Sequence, residues 1–213
     1  MIETTLFILT KAPVAGRVKT RLGATLGYGR AATLFSAMVD LTMARARGAR
    51  DILPALRVVV AVDEPSGLRA PYRCWPTPGG EIARCPQGPG DLGARMRHLA
   101  QSVAGKPVLF IGADCPDLQS KHLVAAACAL QGHDAVMGPA ADGGFWLLGL
   151  RQFRAAPDQF SGVRWSAPHA GADMLDSLPN SFQTKFLPIL NDIDDEADLR
   201  AARRPILVRS HRQ

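Results

Sequence analysis

The chain has 213 residues, 47% of them hydrophobic and 21% charged. That balance excludes a disordered or collagen-like polymer, and the length is enough to bury roughly 70% of the unfolded surface without a metal or disulfide staple. The formal charge of +6 and a pI near 9.5 favour acidic partners, but 6% aromatics and no basic patch interleaved with stacking residues argue against nucleic acid.

No apolar run approaches the ~18 residues of a membrane helix, so no membrane partner is expected. The N-terminal "MIETTLFILTK" carries Glu3 where a secretory leader has basic residues, and it lacks a cleavage motif. Cys74, Cys85, Cys115 and Cys128 show neither CxxC nor zinc-finger spacing, as expected of reduced thiols in a cytoplasmic protein.

In chain order, "TTLFILT" reads as a first strand. Leu34, Met38, Leu41 and Ala44 fall at helical spacing, with Gly48 as the expected stop. "LRVVVAVDE" is a β-branched strand, a short third strand is expected in "YRCWPTP", and "PGGEIARCPQGPG" reads as turns. "DLGARMRHLAQSVAG" has one apolar face of Leu92, Met96, Leu99 and Val103, with Asp91 as N-cap. "KPVLFIGAD" has the unbroken apolar run of a central strand buried on both faces. "SKHLVAAACALQG" is a helix, and "DAVMGPA" and "GFWLLGL" are strands joined by a hairpin-type turn at "ADGG", which makes the sheet mixed there. "QTKFLPILNDI" is a late strand and "DDEADLRAARR" a last helix, acidic at its start and basic at its end. Strands alternating with helices predict an α/β fold, and with no repeat or composition break residues 1–213 read as one domain.

Several stretches carry chemistry. "KAPVAGRVKTRL" puts Lys11, Arg17, Lys19 and Arg21 around Pro13 and Gly16 directly after the first strand. Phosphate is held by turn N–H groups, a following helix and cationic side chains, and this stretch supplies all three, although the glycine pattern of a P-loop is not met. In "FIGADCPDL", Asp114 stands just beyond a strand, where an open α/β sheet collects ligands, and is the candidate ligand for Mg²⁺. Asp117 serves equally well as a second ligand or a local cap. In "GPAADGGFWLLGL", Gly143 and Gly144 permit close backbone approach to a ligand, and Asp142 offers a charge for a metal or an acceptor hydroxyl. In "NDIDDEADL", Asp192 is the second metal candidate, with Asp194 or Asp195 as helix cap. "QGPGDLGARM" offers Gln87, whose amide suits a base edge, with Gly88, Gly90 and Asp91 beside it. Trp165 and Ser166 precede a helix in "GVRWSAPHAGADML".

In this order the stretches span nearly the whole chain, and together they resemble a bacterial family of small GT-A-fold, glycosyltransferase-like proteins, the domain-of-unknown-function 2064 type. The same stretches are similar to small nucleotidyltransferases. The resemblance implies a three-layer α/β/α sandwich with a mostly parallel mixed sheet. It also implies a transferase that uses Mg²⁺ or Mn²⁺, a nucleotide (nucleoside triphosphate or nucleotide sugar) and a small-molecule acceptor. Lys11, Pro13, Gly16, Arg17, Lys19 and Arg21 would hold the phosphates, Gln87, Gly88, Gly90 and Asp91 the base and ribose, and Asp114 and Asp192 the metal. Asp142, Gly143, Gly144, Trp165 and Ser166 would face the acceptor, with Lys19, Arg21 and Asp142 catalytic. Two positions depart from the pattern. Ala167 stands where the family tends to have Thr, and Pro116 stands where the second Asp of a glycosyltransferase D-x-D would be. The second departure leans toward nucleotidyl over glycosyl transfer; a nucleotide-binding module without turnover is the reading from another class.

Overall fold

The computed structural model describes residues 2–63, 82–103, 105–154, 158–165 and 167–202. The third strand expected in "YRCWPTP" lies outside the described residues. Among the described residues there are seven strands, β1 (Thr4–Thr10), β2 (Leu56–Val62), β3 (Ala83–Pro86), β4 (Val108–Ile111), β5 (Ala135–Pro139), β6 (Phe145–Leu150) and β7 (Thr184–Phe186). They form one sheet in the order β3-β2-β1-β4-β6-β5-β7. Neighbours are parallel except where β6 meets β4 and β5. The β5–β6 hairpin expected from "ADGG" is therefore present and is the source of the mixed character.

The side-chain period of two sends alternate residues to opposite faces. Leu6, Ile8, Val58, Val60, Leu109 and Ile111 belong to one buried cluster, while Phe7, Val59, Ala61, Val108 and Phe110 belong to the other. Helices α2 (Tyr28–Ile52) and α4 (Ser120–Ala129) cover the first face through Leu34, Met38, Met43, Leu123 and Ala126. Helices α3 (Leu92–Gln101) and α5 (Ala170–Asp176) cover the second through Met96, Leu99 and Met174. Both faces are dry, which is why the strands read as unbroken apolar runs.

Two expectations about boundaries are corrected. Helix α2 does not stop at Gly48 but continues to Ile52. That glycine makes room for α4: a Cβ there would lie 2.7 Å from Ser120 Oγ, and the same hydroxyl donates to the Arg45 carbonyl at 2.9 Å. The stretch read as turns, "PGGEIARCPQGPG", contains β3, a sheet-edge strand with partly exposed residues and no apolar alternation. Short helices α1 (Thr20–Leu26) and α6 (Glu196–Ala201) complete the described elements, and among the described residues no helix is long and apolar enough to cross a membrane.

Candidate active site

Three segments meet beyond the carboxyl ends of β1 and β4. The first leaves β1 at Thr10 and is pinned by buried Ala12 and Val18, which leaves Lys11, Arg17 and Arg21 on its exposed side. Its last residue before α1 is Lys19, at φ 44° and ψ 50°, the one non-glycine in the left-handed region among the described residues. That conformation costs on the order of 1–2 kcal/mol for an L-residue with a Cβ. It goes with a specific placement: Lys19 Nζ donates to Asp114 Oδ2 and to Asp194 Oδ1, both at 2.7 Å, with only 8% of its side chain exposed. Burial pulls the ammonium pKa down, but the charge of Asp114 and the bonds to both carboxylates outweigh it and hold Lys19 above its usual value.

The second segment is the end of β4. Gly112 lets the following carboxylate fold back, since a Cβ there would lie 2.6 Å from Asp114 Oδ1. The third follows β7 and is stitched to the second by Ile193 N donating to the Asp114 carbonyl at 3.1 Å. Ile193 is buried at 1% exposure, so its neighbours Asp192 and Asp194 turn to the other side, beside Asp114. One ligand oxygen from each of Asp114, Asp192 and Asp194 lies within 4.8 Å of the others. Burial, then the charges of Asp114 and Asp194, push the Asp192 carboxyl up to about 6, while Lys19 opposes them. Three converging hard oxygen donors suit Mg²⁺ or Mn²⁺.

The tail of the cluster separates two roles that "DIDDEAD" left open. Asp195 is the N-cap of α6, accepting from Ala197 N at 2.9 Å and Asp198 N at 3.1 Å. Asp194 is not a cap: it points at Lys19 and joins the metal-type group, a role its sequence position two after Asp192 signals and that was missed. Arg21 pairs with Asp195 at 2.9 Å and with Asp194 at 3.8 Å. Asp117 lies outside the three-carboxylate group and borders a small pocket of about 60 Å³ with Asn191, Asp192 and Asp198.

A cleft of about 660 Å³ runs from this cluster across the sheet ends, within the range of small-ligand sites. Lys11, Arg17, Lys19, Arg21, Asp114 and Asp194 line one part; Gln87, Gly90, Asp91, Arg95 and Trp165 line another. Gln87 is 3% exposed, and its Nε2 donates to the carbonyls of Thr10 at 3.0 Å and Ala61 at 2.9 Å. Both amide hydrogens are thus engaged by backbone, so Gln87 meets the cleft as an acceptor only. Gly88 and Gly90 have φ of 88° and 97°, which only glycine adopts readily. Asp91 caps α3, accepting from Ala94 N at 2.8 Å. Arg95, one turn into that helix and overlooked in the sequence, donates from Nε to the Gly90 carbonyl at 2.9 Å and from Nη1 to Gln87 Oε1 at 3.2 Å.

The turn between β5 and β6 gives a different reason for its glycines. A Cβ on Gly143 would sit 1.9 Å from the Pro168 carbonyl, and Gly171 N donates to the Gly143 carbonyl at 3.0 Å. The close approach is to the chain's own backbone, at the start of α5. Asp142 Oδ1 accepts from Gly144 N at 2.9 Å, and Asp142 lies near enough to Asp192 to add to its raised pKa. Trp165 packs on Gly93, where a Cβ would meet the indole at 2.7 Å, and stands edge-on to Phe145 at 6.4 Å. Its neighbour Arg164 is clamped to Asp173 by three hydrogen bonds of 2.7–3.0 Å. Ser166 lies outside the described residues.

The fold is shared with solved structures of nucleotide-using transferases. A protein from Desulfovibrio desulfuricans G20, provisionally described as a nucleotide-diphospho-sugar transferase, is 29% identical with a TM-score of 0.79, over 92% of this chain and 84% of that one. The 4-diphosphocytidyl-2C-methyl-D-erythritol synthase of Anaerococcus prevotii superposes at 0.56 with 10% identity, over 93% and 94% of the two chains. A Pyrobaculum calidifontis mannosyltransferase in complex with GDP-mannose and Mn²⁺ gives 0.55 with 12% identity, over 90% of this chain and 57% of that one. Their common architecture is the GT-A, nucleotide-diphospho-sugar transferase-like fold, and it is the fold of this chain. No curated protein matches in sequence. The family model described as "Uncharacterized protein conserved in bacteria (DUF2064)" matches residues 47–167, more than half of the chain, and this protein belongs to that family.

Proposed function

We propose that the protein is a cytoplasmic, metal-dependent transferase that binds a nucleotide in the cleft and joins it to a small acceptor, by nucleotidyl transfer from a nucleoside triphosphate. The observation that carries this reading is that Asp114 and Asp194, two members of the Asp114, Asp192 and Asp194 group, meet the basic segment after β1 in one cleft. Asp114, Asp192 and Asp194 would hold Mg²⁺ or Mn²⁺. When bound, the ion supplies positive charge against phosphate oxygens.

The chain's own residues do the remainder. Lys11 and Arg17, on the exposed side of the segment after β1, grip the phosphates; Lys19 and Arg21 neutralise the charge that develops as pyrophosphate leaves. A phosphate oxygen of the acceptor attacks the α-phosphorus, a new P–O bond forms, and the bond to the β-phosphate oxygen breaks with its electron pair leaving on pyrophosphate. An acceptor phosphate is already anionic, so no general base is required, and the protein's contribution is positioning. The acceptor is placed toward Asp142 and Trp165, which flank the acidic cluster and the cleft.

Glycosyl transfer is the second reading, favoured by the likeness to the D. desulfuricans protein. In that reaction a nucleoside diphosphate leaves, and Asp142, through the oxygen not engaged by Gly144, would serve as base for an acceptor hydroxyl. Thermal stabilisation by nucleoside triphosphates and by nucleotide sugars, each with and without Mg²⁺ or Mn²⁺, separates the two. Metal-dependent stabilisation by triphosphates is expected. A response to nucleotide sugars alone would replace nucleotidyl by glycosyl transfer, and none from any nucleotide would end the transferase reading.

A further inference from the structure

The sheet order gives the cleft a scale. Gln87 sits beyond the ends of β1 and β2, because its amide bonds the Thr10 and Ala61 carbonyls. Asp114 follows β4, on the opposite side of β1 from β2. With strands about 4.8 Å apart, the two places stand roughly 5–10 Å apart along the sheet. That is the span of a nucleoside, with phosphates at the acidic cluster and the base at Gln87 and Arg95.

Arg95 is prepared to meet a ligand. Its two partners are neutral oxygens, the Gly90 carbonyl and Gln87 Oε1, whereas Arg97, Arg151 and Arg164 each pair with a carboxylate. The guanidinium keeps its full charge, and with two of five N–H donors engaged, three remain. Its plane is set from both ends: the positive φ of Gly90 turns that carbonyl back onto α3, and buried Gln87 cannot rotate without losing two backbone bonds.

We infer that Arg95 selects the nucleobase by donating to a ring carbonyl, with Gln87 as the positioning residue that fixes its plane, so that the nucleotide carries guanine, cytosine or uracil rather than adenine. Each of those three presents a carbonyl oxygen to a donor fork. Adenine offers ring nitrogens flanked by an amino group, whose hydrogens meet the arginine donors head-on. A site built to hydrogen-bond a group rejects the analogue lacking it by far more than a hydrophobic pocket can.

This inference rests on the cleft being a nucleotide site, and the test separates the two. Binding of ADP, CDP, GDP and UDP, the portion common to triphosphates and nucleotide sugars, is measured calorimetrically with Mn²⁺ for the wild type, Arg95→Lys and Arg95→Met. The wild type is expected to bind ADP at least tenfold more weakly than the tightest of the other three. Arg95→Lys keeps the charge but loses the fork, and it should shrink that gap below threefold while leaving ADP affinity within twofold. If wild-type ADP binds as tightly as the best of the set, base selection is wrong and the nucleotide site stands. If Arg95→Met weakens all four equally, Arg95 grips phosphate and the inference is overturned. If none of the four binds, both the inference and the nucleotide reading fall.

Discussion

Lys19 and Arg95 line the same cleft, yet one cation is held by two carboxylates and the other by two neutral oxygens. Around Lys19 the positive charge is already answered by Asp114 and Asp194 before any ligand arrives. Around Arg95 the positive charge is oriented but left uncompensated. A basic loop can therefore be obvious in sequence while its most buried cation is already engaged; the more available charge can sit one helical turn past an inconspicuous aspartate cap.

The contrast can be broken most sharply at the acidic cluster. Asp114→Asn removes a proposed metal ligand and one of the two partners of Lys19, and is expected to lower Mn²⁺ affinity at least 100-fold, read as loss of Mn²⁺-dependent thermal stabilisation. Unchanged stabilisation would move the metal elsewhere. Lys19→Met removes the resident cation and should tighten Mn²⁺ binding roughly tenfold while lowering the Tm of the metal-free protein, because three carboxylates would then repel without a counter-charge. Weaker Mn²⁺ binding in that variant would mean that Lys19 organises the carboxylates more than it competes for them.

Asp192→Asn should raise the metal-free Tm by a few degrees at pH 7.5. The folded-state pKa of Asp192, pushed up to about 6, stands above its unfolded value, so its contribution to stability is fully present below about pH 4 and is lost as pH rises through about 6. The advantage of the asparagine should accordingly vanish below pH 4, which a pair of melting curves against pH will show. The smallest effect belongs to Asp173→Asn. Hydrogen bonds from the Arg164 side chain and backbone hold the Asp173 carboxyl down at about 2, so the wild-type clamp adds stability above about pH 4 and loses it as pH falls through about 2. The variant should melt slightly lower at pH 7 and broaden Trp165 fluorescence; an unchanged spectrum would mean that Gly93, Phe145 and Phe160 hold Trp165 without the clamp.

The parts of the fold that were legible in sequence are those governed by burial. β1, β2, β4 and the β5–β6 hairpin are buried on both faces and read as apolar runs, and α3 announced itself through its stripe and the Asp91 cap. β3 was not legible because an edge strand of four partly exposed residues has neither an apolar run nor alternation. The stop at Gly48 failed because helix-to-helix packing, here against Ser120, overrides the local preference of glycine for helix ends. At the site, Asp114 and Asp192 were singled out from strand ends and do lie together, but Asp194 was hidden by its neighbour Asp195, since two adjacent aspartates before a helix cannot be told apart as cap and cluster member without the position of Lys19. Gln87 was read as a base-edge amide, although the backbone carbonyls that claim its hydrogens come from β1 and β2, far away in sequence.

The bond from Lys19 to Asp194 joins positions 175 apart, and Ile193 ties the last part of the cluster to Asp114. During synthesis the sheet around β1, β2 and β4 can begin to form while the carboxylates near position 194 are still unmade. A nascent or truncated chain that stops short of Asp192 would display the basic segment after β1 without the aspartates that complete the cluster. The three-carboxylate group is therefore assembled only once Asp192 and Asp194 have been made and folded back onto the end of β4.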